Sequence, residues 1–284
     1  MDDAAVADVL DDSLKIDYDR IGERMYVEFV SVTYTHTNID RMKELAQKAA
    51  QVGRGVIINC DCPKASKEIL ELIKDAKPIL NGANAENYEA MSAVASEYNV
   101  VLGVTGANLD ELYETVGKIE ALGNKNLILD VGSGSIKAAF ENAVQIRRAA
   151  LLNNDRTFGY PSLVNAAALA NGDVHMQTAL ASLFTTKYGS IVILQKMSYA
   201  QALALYGLRQ NIYTDPQKPM KVEPGIYPLN KADENSVCCI TVDFALTYFV
   251  VSGELERSGV PCNMFICDAG GYSVLTAWAA GKFS

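Results

Sequence analysis

Short apolar runs alternate with amphipathic stretches along most of this chain. The runs are short and continuously apolar, which is typical of strands buried on both faces of a parallel sheet. Seven of them are predicted as strands: Tyr26–Tyr34, Gly55–Cys60, Pro78–Asn81, Val100–Thr105, Leu127–Val131, Phe158–Asn165 and Ile191–Gln195.

The stretches between these runs have the periodicity of amphipathic helices. One helix is predicted to begin after Asn38, a good N-cap residue, and to stop at Gly53. Another runs from Asn108 to Leu122. The chain itself opens on a helix near Asp2–Leu10.

Strict alternation of strands and helices predicts an α/β fold with a parallel sheet and right-handed crossovers. We therefore expect a (β/α)8 TIM-type barrel over residues 1–210, although seven strands is one fewer than closure requires. A first strand upstream of Met1 would complete the barrel. The alternatives are a seven-stranded variant of the barrel and a strand that a partner supplies. Residues 211–236 are interpreted as a linker, and residues 237–284 as the start of a Rossmann-like α/β domain.

Polar residues end several of the predicted barrel strands. In a barrel they would surround the C-terminal mouth, where active sites lie. The alternative is that polar residues mark the point where the chain leaves the core. The residues are Cys60, Asp61, Asn81, Thr105, Asp130, Asn165 and Gln195.

Composition narrows the classes of function. A net charge of −9 with acids concentrated at the start argues against binding to nucleic acid or to an anionic membrane. No apolar run approaches the roughly 20 residues that span a bilayer, and the acidic start is not a secretory signal, so a cytoplasmic location is expected. The six cysteines do not match zinc or iron–sulfur spacings, so no metal site is predicted.

Two short motifs have both a functional and a structural interpretation. Asp173-Val-His175 resembles the start of D-x-H-x-x-G, a cobamide-ligand motif, but Thr178 replaces the glycine. Asp173 is expected instead at a helix N-terminus. Gly132-Ser-Gly-Ser135 follows a strand and favours a tight turn with a serine N-cap over a weak phosphate site.

The tail contains two strand-to-helix turns. Thr241, Asp243 and Thr247 surround the first, and the second, Gly270–Ser273, has two glycines where a large flat ligand could approach the backbone. An ordinary pair of βα turns is the alternative.

Several segments together resemble the large subunit of the corrinoid iron–sulfur protein, which is the gamma subunit of the acetyl-CoA decarbonylase/synthase complex. The resemblance covers nearly the whole chain. It rests on Asn211–Pro219, Phe244–Phe249, Gly253–Glu256, Ser273–Phe283, Asn87–Met91, Gln145–Arg148 and Phe158–Pro161.

This resemblance implies a barrel followed by an α/β domain that holds a base-off cobamide. The family's cobalt takes a methyl group from a methyl-pterin of the methyltetrahydrofolate or methyltetrahydromethanopterin type. It passes that group to acetyl-CoA synthase in the anaerobic acetyl-CoA (Wood–Ljungdahl) pathway. The motif positions that match the family imply these cobamide contacts: Thr241, Thr247, Gly271, Tyr272, Ser273 and Val274. No catalytic residue is assigned.

The resemblance also implies partners and a second cofactor. The partners are a small corrinoid protein subunit in a heterodimer, a methyl-pterin methyltransferase, and acetyl-CoA synthase/CO dehydrogenase; neither nucleic acid nor a membrane is among them. The cysteine cluster that binds the family's four-iron–four-sulfur centre does not occur in this sequence. We therefore expect the chain to be the middle of a longer polypeptide. A pterin-binding barrel methyltransferase and a non-catalytic scaffold subunit remain the alternatives.

Overall fold

The structure, a computed structural model, describes residues 2–20, 22–132, 134–213 and 220–281, without the side chains of 211–213. The chain divides into two compact units. The first comprises Met1–Tyr18 and Met25–Arg209, and the second Asp19–Arg24 and Gln210–Ser284.

The secondary structure follows the predicted alternation. The strands are β1 (Asp17–Arg20), β2 (Glu23–Tyr26), β3 (Phe29–Thr33), β4 (Gly55–Asn59), β5 (Ile79–Ala83), β6 (Val101–Val104), β7 (Leu127–Asp130), β8 (Ser162–Asn165), β9 (Ile191–Ile193), β10 (Gly225–Leu229), β11 (Val237–Val242) and β12 (Cys262–Cys267). The helices are α1 (Asp3–Lys15), α2 (Ile39–Gln51), α3 (Pro63–Ile73), α4 (Tyr88–Tyr98), α5 (Leu109–Ala121), α6 (Ile136–Leu152), α7 (Ala166–Leu169), α8 (Val174–Thr186), α9 (Tyr199–Tyr213), α10 (Ala245–Ser258) and α11 (Val274–Ala279).

A seven-stranded parallel sheet forms the first unit, with strands β3 to β9 in chain order. The predicted barrel-type α/β fold is therefore confirmed, and each of the seven predicted runs contributes one strand. Within the described residues, β3 and β9 stand at the two ends of the sheet and are not paired with each other. The sheet is thus a nearly closed barrel of seven strands.

Two strand boundaries differ from prediction for local reasons. The run Tyr26–Tyr34 is divided, because Tyr26 ends β2, which pairs with β1, and β3 begins only at Phe29. The run Phe158–Asn165 forms a strand only from Ser162. A turn closed by the Gly159 N–H and the Arg156 carbonyl (2.9 Å) and then Pro161 precede it, and proline has no N–H for a ladder.

The predicted helix ends are confirmed by their hydrogen bonds. Asn38 Oδ1 accepts the backbone N–H of Arg41 at 3.0 Å and begins α2, while Gly53 follows its end with a φ of +75°. Asn108 caps α5 in the same way. No helix in the described parts of the chain is long and apolar enough to cross a membrane.

Alternation along the strands separates two apolar layers. Side chains on one face of the sheet pack among themselves; they are Ile57, Ile79, Ile128 and Leu163, with Val101, Ile191 and Ile193. Their neighbours on the other face, such as Ile58, Leu80 and Leu129, pack against the helices in the main core. Because side chains alternate across a strand, a continuously apolar run supplies both layers at once.

Helix α1 links the two ends of this sheet within the first unit. Asp3 pairs with Arg41 (2.8 Å) and Lys48 (3.2 Å) of α2, which follows β3, and Asp12 pairs with Lys196 (2.8 Å), just after β9. These pairs are partly exposed, and each adds little stability. They indicate that the opening helix lies near both β3 and β9, the two end strands of the sheet.

The second unit is built on a three-stranded sheet of order β10-β12-β11. Strands β11 and β12 are parallel, and β10 is antiparallel to β12. Helix α10 covers one face, where Tyr248, Val251 and Leu255 pack on Leu229, Met264 and Ile266.

Strand β10 lies inside the segment 211–236 that the sequence indicated as a linker. The glycine and proline of this segment favour a linker. In the structure, however, β10 is an edge strand of the sheet, where Pro228 is tolerated. Residues 214–219 of that segment, and of the family cue Asn211–Pro219, lie outside the described residues.

The buried core of the first unit gives a prediction about stability. Leu80 on β5 is fully buried, so L80A should lower the free energy of unfolding by about 2–5 kcal/mol through lost contacts and a cavity. The control L151A removes the same atoms from a side chain that is 59% exposed and should stay within about 0.5 kcal/mol. Urea unfolding measures both; equal losses would contradict the core assignment.

Candidate functional site

One buried carboxylate joins the two strand-to-helix turns of the second unit. Asp243 directly follows β11, and its side chain is 0% exposed. Its Oδ1 accepts two backbone N–H groups from the turn after β12, those of Ala269 (3.0 Å) and Gly271 (2.9 Å). Its own backbone N–H donates to the Cys267 carbonyl at 3.0 Å. The first turn therefore holds the second in place.

The second turn requires glycine. Gly270 and Gly271 have φ values of +68° and +76°, a region in which side chains with a Cβ are strained. Ser273 then begins α11, its Oγ accepting the N–H of Thr276 at 3.4 Å. Gly270 is exposed, with the ring of Tyr272 3.7 Å from where a Cβ would lie, whereas Gly271 is buried.

Four of the six predicted site residues lie together on this turn. Gly271 is buried, Ser273 is partly buried, and Tyr272 and Val274 are exposed. The other two flank the first turn. Thr241 is almost fully buried in β11, and Thr247 is half-buried in the first turn of α10.

Asp243 is absent from the predicted set of contacts, yet it connects the two turns. A sequence signal for it exists, since it is a single acid between Val242 and Phe244 in an otherwise apolar stretch. A buried carboxylate has to be paired or hydrogen-bonded, so such an acid indicates a structural clamp. Among the described residues, its Oδ2 has no hydrogen-bond partner, and Lys221 Nζ lies 4.0 Å away.

A second polar cluster lies at the carboxyl ends of the barrel strands. Asn59, Asn81, Asp130 and Asn165 each come two positions after a residue of the inner apolar layer. Because side chains alternate, these four belong to the inner face of the sheet, one layer nearer its mouth.

Hydrogen bonds link three of these side chains. Asn81 Nδ2 donates to Asn59 Oδ1 (3.0 Å) and to Asp130 Oδ2 (2.9 Å), and Asn59 Nδ2 donates to Ser31 Oγ (2.7 Å). Asn165 instead caps α7, accepting the N–H of Ala168 at 3.0 Å. The structure thus brings Asn81 and Asp130 together. It also adds Asn59, which the strand-end pattern did not identify; Asn59 meets Asn81 because the register of β4 and β5 places them side by side.

Burial and one glycine determine the properties of this cluster. Burial raises the pKa of Asp130, while the hydrogen bonds from Asn81 and from the Gly132 N–H oppose that shift. Asn81 Oδ1 is buried with no hydrogen-bond partner among the described residues, and it rests over Gly103 of β6. The packing leaves no space for a Cβ at Gly103.

The two ambiguous motifs act as helix caps. Asp173 Oδ1 accepts the N–H groups of His175 (2.9 Å) and Met176 (3.0 Å), and these bonds lower its pKa. Ser135 caps α6 through the N–H of Ala138 at 3.1 Å. Both structural interpretations are confirmed.

Fold and geometry together define a (β/α)-barrel protein that carries a second α/β unit. Residues 3–284 match the family model described as CO dehydrogenase/acetyl-CoA synthase delta subunit, so the chain belongs to that family. It is 38% identical to the corrinoid/iron-sulfur protein large subunit of Moorella thermoacetica over 94% of this chain and 60% of that protein. It is 31% identical to acetyl-CoA decarbonylase/synthase complex subunit gamma 2 of Methanosarcina thermophila, over 93% of this chain and 59% of that protein.

These relatives confirm the resemblance predicted from the sequence, and the chain spans about 60% of their length. Among solved structures, dihydropteroate synthase from Thermus thermophilus in complex with 6HMPPP is similar, with a TM-score of 0.51 and 18% identity. That match covers 66% of this chain and 84% of the synthase. It supports the barrel fold alone.

The close approach of Asn81 to Gly103 gives a prediction. In G103A the new methyl group would overlap Asn81 Oδ1 and lie 2.8 Å from its Cα, so we expect a loss of about 1–3 kcal/mol in unfolding free energy. The control is G117A in α5, where a Cβ meets nothing within 4 Å; it should be stabilising by about 0.5–1 kcal/mol. Urea unfolding measures both, and a neutral G103A would show that the inner layer has room to rearrange.

Proposed function

We propose that this chain is part of a corrinoid methyl-carrier subunit and that the turn 269–274 of its second unit binds the cobamide. The observation that carries the proposal is the joined pair of turns, in which Asp243 fixes the N–H groups of Ala269 and Gly271. Ligands of open α/β sheets bind outside the carboxyl ends of the strands, and both turns lie there.

The residues present fit a corrinoid in two respects. Gly270 carries no side chain and is exposed beside the Tyr272 ring, so a flat macrocycle can approach the backbone there. Apolar side chains surround the same turn: Tyr272 is 38% exposed, Leu275 78% and Trp278 70%. Such exposed apolar groups next to polar backbone suit a ligand with an apolar face and amide side chains.

The sequence also suits a cobamide held without an axial histidine. The two histidines of the chain, His36 and His175, both belong to the first unit. When bound, the cobamide supplies the cobalt that accepts and releases a methyl group; the protein binds and orients it. Thr241 and Thr247 are proposed as further contacts from the first turn.

The proposed role places the chain in a complex. We propose as partners a small corrinoid protein subunit, a methyl-pterin methyltransferase and acetyl-CoA synthase/CO dehydrogenase, in line with relatives named as subunits of the acetyl-CoA decarbonylase/synthase complex. The iron–sulfur centre of the full-length family is assigned to no residue of this chain.

Equilibrium binding of cobinamide, a corrinoid without a lower base, tests the proposal. G271A should weaken binding roughly tenfold or more, because a Cβ at φ +76° distorts the turn that contacts the ligand. The control G259A introduces the same strain at φ +68° where α10 ends, at the opposite end of the strands, and should bind as the parent chain does. Equal binding by all three chains would refute the site.

A second candidate function rests on the barrel. The amide and carboxylate groups of Asn59, Asn81 and Asp130 could hold a flat heterocycle with several N–H donors, as in a pterin-dependent methyltransferase. The observation in its favour is Asn81 Oδ1, which is buried, has no hydrogen-bond partner in the part of the chain that the structure describes, and lies beside a carboxylate at the end of parallel strands.

Calorimetry with methyltetrahydrofolate distinguishes this candidate. If the mouth binds the pterin, N81A should weaken binding roughly tenfold or more, because it removes the central amide of the cluster. The control N153A changes an exposed asparagine at the end of α6 and should have no effect. If the chain binds cobinamide but not methyltetrahydrofolate, the carrier function is favoured. If it binds methyltetrahydrofolate but not cobinamide, the methyltransferase is favoured. If it binds neither ligand, the non-catalytic scaffold subunit is favoured.

A further inference from the structure

The Asp243 side chain accepts hydrogen bonds from the turn after β12 and not from its own turn. Its carboxylate is completely buried, yet the N–H groups bound by Oδ1 both belong to the turn after the neighbouring strand, 26 and 28 residues further along the chain. A carboxylate removed from water is stable only where donors replace its hydration. The position of the second turn is therefore set by this carboxylate.

The backbone of the same residue also anchors the segment 220–222, which lies within the second unit. The N–H of Val222 donates to the Asp243 carbonyl (2.8 Å), and the N–H of Ala245 donates to the Met220 carbonyl (3.1 Å). These bonds place Lys221 Nζ 4.0 Å from Asp243 Oδ2. Three separate segments thus meet at one residue, and Lys221 supplies a positive charge near Oδ2, which has no hydrogen-bond partner among the described residues.

We propose that Asp243 is the positioning residue of the cobamide-binding turn and acts through the geometry of its Oδ1 rather than through its charge. It holds the N–H groups of Ala269 and Gly271 so that residues 271–274 present their backbone to the ligand. This inference rests on the proposed function for the identity of the ligand. The positioning itself concerns the turn alone and is measurable without any ligand.

Two substitutions separate geometry from charge in the 284-residue chain. D243N keeps an oxygen where Oδ1 lies and removes the charge, whereas D243E keeps the charge and moves the oxygens by one methylene. The matched control is D233E, because Asp233 also accepts a backbone N–H, that of Asn235 (3.0 Å), but in an exposed turn before β11. The readouts are amide hydrogen exchange at Ala269 and Gly271 without ligand, and equilibrium binding of cobinamide.

We expect D243N to retain slow exchange at both amides and to bind cobinamide within about threefold of the parent. D243E should exchange faster at both amides and bind roughly tenfold or more weakly. D233E should match the parent in both readouts.

The opposite order, with D243E like the parent and D243N impaired, would overturn the geometric role and assign the effect to charge. Unchanged exchange in both variants would overturn positioning altogether. If the parent chain binds no cobinamide while exchange follows the expected order, the proposed function fails and the positioning role stands.

Discussion

The second unit depends on the pair of hydrogen bonds that Asp243 accepts from the following turn. Because its side chain is buried, the two turns cannot move apart without leaving buried hydrogen-bonding groups unpaired, which costs about 1–3 kcal/mol. The parallel pairing of β11 and β12 sets the register, and the carboxylate extends that register past the strand ends. The glycine-containing turn is consequently fixed in a conformation that few sequences tolerate, with exposed apolar side chains around it.

In the barrel, too, polar side chains at the carboxyl ends of parallel strands form hydrogen bonds between neighbouring strands. An apolar layer at Ile57, Ile79, Ile128 and Leu163 fills the inner face, and two positions later the same strands place amide and carboxylate groups there. Asn81 is buried and Asn59 and Asp130 are partly buried, and these groups bond to one another, with Asn81 between Asn59 and Asp130. Both units thus place their polar groups at the carboxyl ends of parallel strands. The chain belongs to the CO dehydrogenase/acetyl-CoA synthase delta subunit family, and one relative is named as a corrinoid/iron-sulfur protein; the proposed cobamide site is in the second unit.

Local signals made much of the fold predictable. The seven sheet strands follow continuous apolar runs, and Asn38, Asn108 and Ser135 cap the helices that their positions predict. The hairpin of β1 and β2 was missed because its residues are too polar to resemble a buried strand. Strand β10 was missed because an edge position tolerates the proline that suggests a linker. The clamp at Asp243 and the partners of Asn81 depend on which strands become neighbours, which spacing along the chain does not reveal.

Hydrogen exchange mapped along the whole chain with and without cobinamide tests the central claim most directly, because it locates the ligand without altering any residue. The account predicts slower exchange at amides 269–274 on addition of cobinamide and no change at the ends of β4, β5 and β7. Unchanged exchange at 269–274, or protection confined to the barrel strand ends, would contradict it.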